Sequence, residues 1–355
     1  MKRPAYDSPA LPISFDRIDY QTGTNDLIYV DADAKTQLLK RNSKEAVEKS
    51  FELTNVLDYW IKKKHIVPTD TIWFKIDKDA VLRSGMKIPA KYIGATDEET
   101  KANMPDKMII SLKGKKRLYK NEIIMLDLLA HCNWERPLFI ATTVPRSSYL
   151  NLSRYLVLEG LAYRITPFDW EQTDTGSEYG DIDSDKMYAN MMNYKYGGLD
   201  NPDLYLDETT RRMCLTLRRT TVQLATQLYT EGKKDKALDV LLRINEGISH
   251  ELYPLNEGSY YGVAPQTANL YLVLGKDDKA REVLQATCNN YMQQMRWYLS
   301  MNRRNLYKCE SNFLTCVKEI TRIAPLMEEC FAKTEIDEIK AELESMCNEY
   351  DILMQ

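Results

Sequence analysis

The spacing of apolar residues changes character along the chain, and the change divides it. Residues 27–30 and 71–76 are short runs rich in β-branched and aromatic side chains, as strands are, and 108–112 and 138–142 read the same way. Between the first two, Leu38, Leu39, Ala46, Val47, Phe51, Leu53, Val56, Leu57, Trp60 and Ile61 predict one continued polar-faced helix. Lys62, Lys63, Lys64 and His65 suit its C-terminal end, where cations offset the exposed carbonyls, and Pro68 stops it. Residues 81–105, rich in Lys, Gly and Pro, read as a hairpin or exposed loop, and 120–132 as a strong amphipathic helix. After the 138–142 strand, a helix over 149–160 and a strand over 161–165 are expected. That alternation predicts a layered α/β unit, a small sheet with helices on at least one face.

The flanks read differently. Pro4, Pro9 and Pro12 make residues 1–25 an extended arm. Residues 169–206 mix acidic and Gly-rich stretches and form an irregular linker, and from Arg211 onward the pattern is nearly all helical. The expected organisation is an arm (1–25), an α/β domain (26–168), a linker (169–206) and an α-helical domain (207–355).

Within the helical part the sequence repeats itself. Residues 225–241 align with 268–284 through Ala225/Ala268, Gly232/Gly275, Lys233/Lys276, Asp235/Asp278, Ala237/Ala280, Val240/Val283 and Leu241/Leu284. Each pair has a mechanical role. The glycine ends one helix in a left-handed conformation, and the aspartate caps the next helix or lies in its first turn. The alanine marks the closest helix approach, and Val-Leu fills the groove between the helices. The pattern Gly-x4-Ala resembles the tetratricopeptide repeat. The resemblance implies an all-α array of helical hairpins and, by analogy, a binding role. The copies lie 43 residues apart, against about 34 in that family, so an insertion is expected over 251–262. Two copies need help to close their open faces, and helices at 207–230, 286–302, 303–331 and 334–353 are expected to supply it. The insertion carries Tyr253, Tyr260 and Tyr261 beside glycines. It is either a working surface or a loop packing its own rings.

Composition narrows the function. Of 355 residues, 44% are apolar and 28% charged, and the formal charge of −4 leaves no global basic footprint for nucleic acid. Tyrosine outnumbers phenylalanine 23 to 7, a bias that suits wet grooves, interfaces or half-buried packing positions. No segment approaches the ~20 apolar residues of a membrane span, and residues 1–6 lack the run of a signal peptide. Taken literally this means a cytosolic protein, although a piece of a longer membrane protein would look the same. The seven cysteines include no C-x-x-C pair, which argues against a disulfide framework or a zinc ribbon. Cys309 and Cys316 could share a helix face, as buried thiols or as a disulfide.

Candidate chemistry is sparse. His65, His131 and His250 sit in no metal-binding pattern, and no nucleophile elbow, phosphate loop or dinucleotide fingerprint is present. Asp181, Asp183 and Asp185 alternate like the start of a calcium loop but lack its glycine and closing glutamate. No catalytic residue, metal site or cofactor is therefore expected. A hydrolase would have to gather groups such as His131, Glu135 and Arg136 around the 133–137 turn, where Trp134 and Pro137 could instead simply lock a helix-to-strand connection. Trp134 and Arg136 join the three insertion tyrosines as candidate binding residues.

A second resemblance covers most of the chain. Arg3, Pro4 and Tyr6; 23–26; 133–139 followed by 142–144; and 159–167 are similar to the C-terminal soluble region of a family of multi-spanning membrane proteins from Bacteroidetes. Those proteins look similar to protein O-mannosyltransferases. In such enzymes the catalytic acid lies near the first membrane spans, a region with no counterpart here, so no catalytic residue carries over. The resemblance implies a non-catalytic periplasmic accessory domain that holds a protein or glycan partner, joined to an upstream transmembrane region of the same polypeptide. The alternative is a freestanding cytosolic helical-repeat scaffold that binds a partner peptide. Neither reading involves nucleic acid.

Overall fold

The computed structural model describes residues 28–170, 180–256 and 263–354, and the chain divides into two units, Met1–Asp183 and Ser184–Gln355. The first contains small sheets with interspersed helices, and the second is all helical.

In the first unit β1 (Ile28–Val30) leads into α1 (Ala34–Arg41), α2 (Lys44–Ser50), α3 (Leu53–Asn55), a π-helical turn and α4 (Lys62–Lys64). The single helix expected over residues 38–61 is broken twice, each time by a side chain that takes over backbone N–H groups. Ser43 is extended and accepts from the Ala46 N–H at 3.3 Å. Glu52, also extended, accepts from the Thr54 and Asn55 N–H groups at 3.0 and 3.2 Å. His65 follows α4 with φ +53°. β2 (Ile66–Val67) and β3 (Thr71–Lys75) come next.

The loop expected over 81–105 is instead built on α5 (Lys78–Arg83) and α6 (Asp97–Asn103), inserted before β4 (Lys107–Ser111). Two caps hold these helices: Asp77 accepts from the Ala80 N–H at 2.9 Å, and Thr96 from the Glu99 N–H at 3.2 Å. The Glu99 carboxylate reaches back to the Ala95 N–H at 2.8 Å. β5 (Arg117–Leu118), α7 (Lys120–His131), β6 (Phe139–Ala141), β7 (Leu156–Leu158), β8 (Ala162–Ile165) and β9 (Asp181–Ile182) complete the unit.

Three sheets result among the described residues: β2-β1-β5, β3-β4 and β6-β8-β7-β9. The helix expected over 149–160 is absent, because Leu156, Val157 and Leu158 form a strand buried on both faces. A continuous apolar run of that kind has no period to distinguish strand from helix. The last sheet is therefore mainly antiparallel, with only β7 and β9 parallel, rather than a succession of strand–helix crossovers.

The second unit runs through α8 (Ser184–Met192), α9 (Glu208–Thr230), α10 (Lys234–Gly247), α11 (Ala264–Val273), α12 (Asp277–Leu299), α13 (Arg303–Lys308), α14 (Glu310–Cys330) and α15 (Lys333–Met354). The duplicated residues occupy equivalent places in the two hairpins α9–α10 and α11–α12. Gly232 and Gly275 have φ +76° and +69°, and Asp235 and Asp278 lie in the first turns of α10 and α12. Ala237, Ala280, Leu241 and Leu284 are fully buried. The separate helix expected at 286–302 is the second half of α12, whose 23 residues extend past its hairpin to pack on α14 and α15.

Candidate functional site

α12 carries three polar side chains at four-residue intervals, Asn290, Gln294 and Tyr298, which fall along one stripe of a helix. α14 faces this stripe with Asn312, Thr315, Cys316 and Glu319. The segment from Glu251 to Asn256 and Arg211 of α9 complete a groove of about 720 Å³. Its floor is organised around one carbonyl: Asn290 Oδ1 accepts from Asn256 Nδ2 at 2.9 Å and from Gln294 Nε2 at 2.6 Å. Asn256 is 9% exposed, and among the described residues nothing donates a hydrogen bond to its Oδ1. An acceptor at that position can take a hydrogen bond from a ligand N–H or O–H.

Arg211 and Glu251 bring charge to the rim of the groove, and the other titratable groups that line it are neutral or paired. Burial, reinforced by the Glu319 charge, pushes the Tyr291 hydroxyl up to about 12, and burial pushes the Cys316 thiol up to about 11. Both stay protonated at neutral pH, so neither is an activated nucleophile. Glu319 is buried and paired with Arg322 at 2.5 Å. The groove can bind through carboxamides and hydroxyls.

A smaller pocket of about 390 Å³ opens between α10 and α12. In it Asn245 donates to the Tyr271 hydroxyl at 2.6 Å, and His250 Nε2 lies 3.4 Å from Asn245 Oδ1. Burial, with the charge of Arg218 second, pushes His250 down to about 4, so its imidazole is neutral.

The aromatic residues singled out from sequence lie elsewhere. Tyr253 is 2% exposed and packs with Leu206, Cys214, Ile244 and Ile248, under the guanidinium groups of Arg211 and Arg218. It is a core residue, not a working surface. Trp134 is 4% exposed and stacks on Phe74 with ring centroids 5.4 Å apart, so it too belongs to a core. Arg136 is exposed beside it. Tyr260 and Tyr261 lie outside the described residues. Sequence reasoning missed the groove residues Asn256, Asn290 and Gln294. The i, i+4 spacing of the last two is the available signal, which the expectation of a helix at 286–302 closing the repeat's open faces does not use.

Several of the residues weighed for chemistry have structural partners. His131 Nδ1 lies 2.9 Å from the Asp127 carbonyl and 3.2 Å from its carboxylate. Asp181 pairs with Lys87 at 2.6 Å, whereas Asp185 pairs with Lys233 and Lys236 at 2.9 Å each. Among the described residues no cluster of three or more metal-ligating side chains occurs, and no helix is long and apolar enough to cross a membrane.

Neither the curated proteins nor the solved structures contain a match to this chain. A protein-family match does exist, and it covers the sheet-bearing unit and the start of α8. Residues 1–186, just over half of the chain, match TMEM260-associated domain 2, and the chain belongs to that family.

Proposed function

We propose that this chain is the binding part of a membrane-associated protein and performs no chemistry of its own. On this reading it lies in the periplasm of a Bacteroidetes cell, attached to a glycosyltransferase-like membrane region, and its helical unit is a divergent tetratricopeptide-like array that holds a partner. The family's name supports the membrane setting. The observation that carries the binding role is the carboxamide-lined groove between α12 and α14, at whose edge the Asn256 Oδ1 finds no donor among the described residues.

The groove suits a protein segment better than a glycan. The carboxamides pair with peptide N–H and C=O groups, and Arg211 and Glu251 leave room for charged side chains of the segment. Sugar stacking needs an open ring face, and Tyr298 is 8% exposed. The test is selection from a random peptide library on the intact chain, with a glycan array in parallel. Peptides that bind the native chain and are lost from an Asn290→Ala/Gln294→Ala variant support the reading. Peptides that bind both proteins equally, or glycans as the sole ligands, overturn the protein-segment assignment.

A further inference from the structure

We propose that the outer face of the β2-β1-β5 sheet docks on a bilayer surface of anionic phospholipid. Pairing register places Tyr29 of β1 opposite Arg117 of β5 and opposite Ile66 of β2. Directly paired residues point to the same side of a sheet, so these three form one transverse row. The alternate positions Ile28, Leu118 and Val67 are buried, which fixes the row of Arg117, Tyr29 and Ile66 as the outward face. Tyr29 is 60% exposed, and Tyr119, two residues beyond Arg117, is 53% exposed.

The sheet also gathers two basic runs far apart in sequence. Lys62, Lys63, Lys64 and His65 lead directly into β2, and Lys113, Lys115, Lys116 and Arg117 lead into and occupy β5. Some of that charge is spent internally, since Lys62 pairs with Asp58 at 2.9 Å and Lys115 with the buried Glu122 at 2.5 Å. Lys63, Lys64, Lys113, Lys116 and Arg117 are exposed and form no ion pair with any described residue. The exposed acids nearest to Tyr29 in sequence are Asp31 and Asp33; Asp31, two positions on, has the same outward parity, and its carboxylate accepts the N–H groups of Asp33 and Ala34. Arg117, Tyr29 and Ile66 thus form the outward row, Tyr119 follows Arg117 by two positions, and Lys63, Lys64, Lys113 and Lys116 are exposed in the segments that lead into β2 and β5.

That mixture matches a headgroup layer. Lysines and arginines near an anionic leaflet are attracted to it, and tyrosine settles at the apolar–polar boundary of a bilayer. A single nucleic-acid strand would instead need a basic groove to follow its backbone, and this sheet face is a short open row. The inference is independent of the groove in the helical unit, and none of its residues touches that groove.

The experiment is co-sedimentation of the intact chain with vesicles of phosphatidylcholine alone or mixed with phosphatidylglycerol. Binding is expected only to the phosphatidylglycerol vesicles, weakened by added salt. A Lys116→Glu/Arg117→Glu variant is expected to bind about tenfold or more weakly. Tyr29→Ser, which leaves the charge unchanged, is expected to reduce binding without altering its salt dependence. Both variants change exposed side chains, and an unchanged far-ultraviolet spectrum confirms that they fold. Equal binding to both vesicle types, or binding indifferent to the charge reversal, overturns the proposal. So does equally tight, equally variant-sensitive capture of a single-stranded oligonucleotide or polyglutamate. Competition by inorganic phosphate at headgroup-equivalent concentration would assign the site to free phosphate and overturn the bilayer reading.

Discussion

Arg218 and Tyr253 hold each other twice: the guanidinium lies 5.3 Å from the centre of the tyrosine ring and also donates to the Tyr253 backbone carbonyl. The same guanidinium donates to the Ile248 carbonyl at 3.1 Å and, at 3.5 Å, to that of Ser249. One side chain of α9, 1% exposed, thus terminates the chain leaving α10 and fixes the return of residues 248–253. A buried charge is tolerated here because it is spread over several carbonyls and a ring face.

Arg218→Met is therefore expected to destabilise the helical unit by about 3 kcal/mol or more, since it keeps the volume and leaves buried carbonyls unsatisfied. Arg218→Lys should recover only part, because an ammonium cannot span carbonyls that a planar fork reaches together. Urea denaturation of the three proteins measures this. A loss under about 1 kcal/mol for Arg218→Met would show that water replaces the guanidinium.

His250 makes the same region pH-sensitive. Its folded value is pushed down to about 4 by burial, ahead of the Arg218 charge, against about 6.5 in the unfolded chain. Between those values the unfolded chain binds the extra proton, so the stabilising effect of high pH is complete above about 6.5 and lost as pH falls towards 4. The gap corresponds to about 3 kcal/mol. Urea midpoints across that window should fall more steeply for the native chain than for His250→Gln, and parallel curves would mean that the imidazole reaches water.

What was legible in the sequence follows locality. Gly232 and Gly275, with the alanines and Val-Leu pairs behind them, obey rules that act within one hairpin, and their conformations agree with their residue types. The break at Glu52 and the strand at 156–158 were not legible. The first depends on a carboxylate choosing backbone donors over solvent, and the second on burial from both sides. The groove is less local still. Asn256 and Asn290 are 34 positions apart and meet only when α12 runs past its hairpin onto α14. The tyrosine-rich insertion attracted attention because rings near glycines look exposed, yet Tyr253 is covered by an arginine 35 positions away.

In the sheet-bearing unit, Gly180 has φ +58°, and a β-carbon there would sit 1.9 Å from the Leu156 carbonyl oxygen. Backbone cannot retreat as a flexible side chain can, so Gly180→Ala combines a clash with left-handed strain and should cost well over ~2 kcal/mol. Gly114, at φ +85°, has open space around its missing β-carbon. Gly114→Ala should cost only about 1 kcal/mol, the strain alone. Thermal unfolding separates them, and similar losses would place the Gly180 backbone farther from β7 than described.

The last prediction concerns Asn290, whose carbonyl accepts from both Asn256 and Gln294. Asn290→Ala leaves two donors without their acceptor, one of them on the buried Asn256, and should lower stability by about 1–2 kcal/mol. Asn256→Ala removes the same contact from the other side, together with an acceptor that has no donor among the described residues. Its own loss should be smaller, because deleting an already unsatisfied oxygen returns part of the desolvation penalty. If the two amides act through their shared hydrogen bond, the double variant should be less destabilised than the sum of the singles, by about 0.5–1.5 kcal/mol. A double-mutant cycle in urea reads this coupling directly. Strict additivity would mean that residues 251–256 are held by Tyr253 and Arg218 alone, leaving the carboxamides of the groove free to turn towards a ligand.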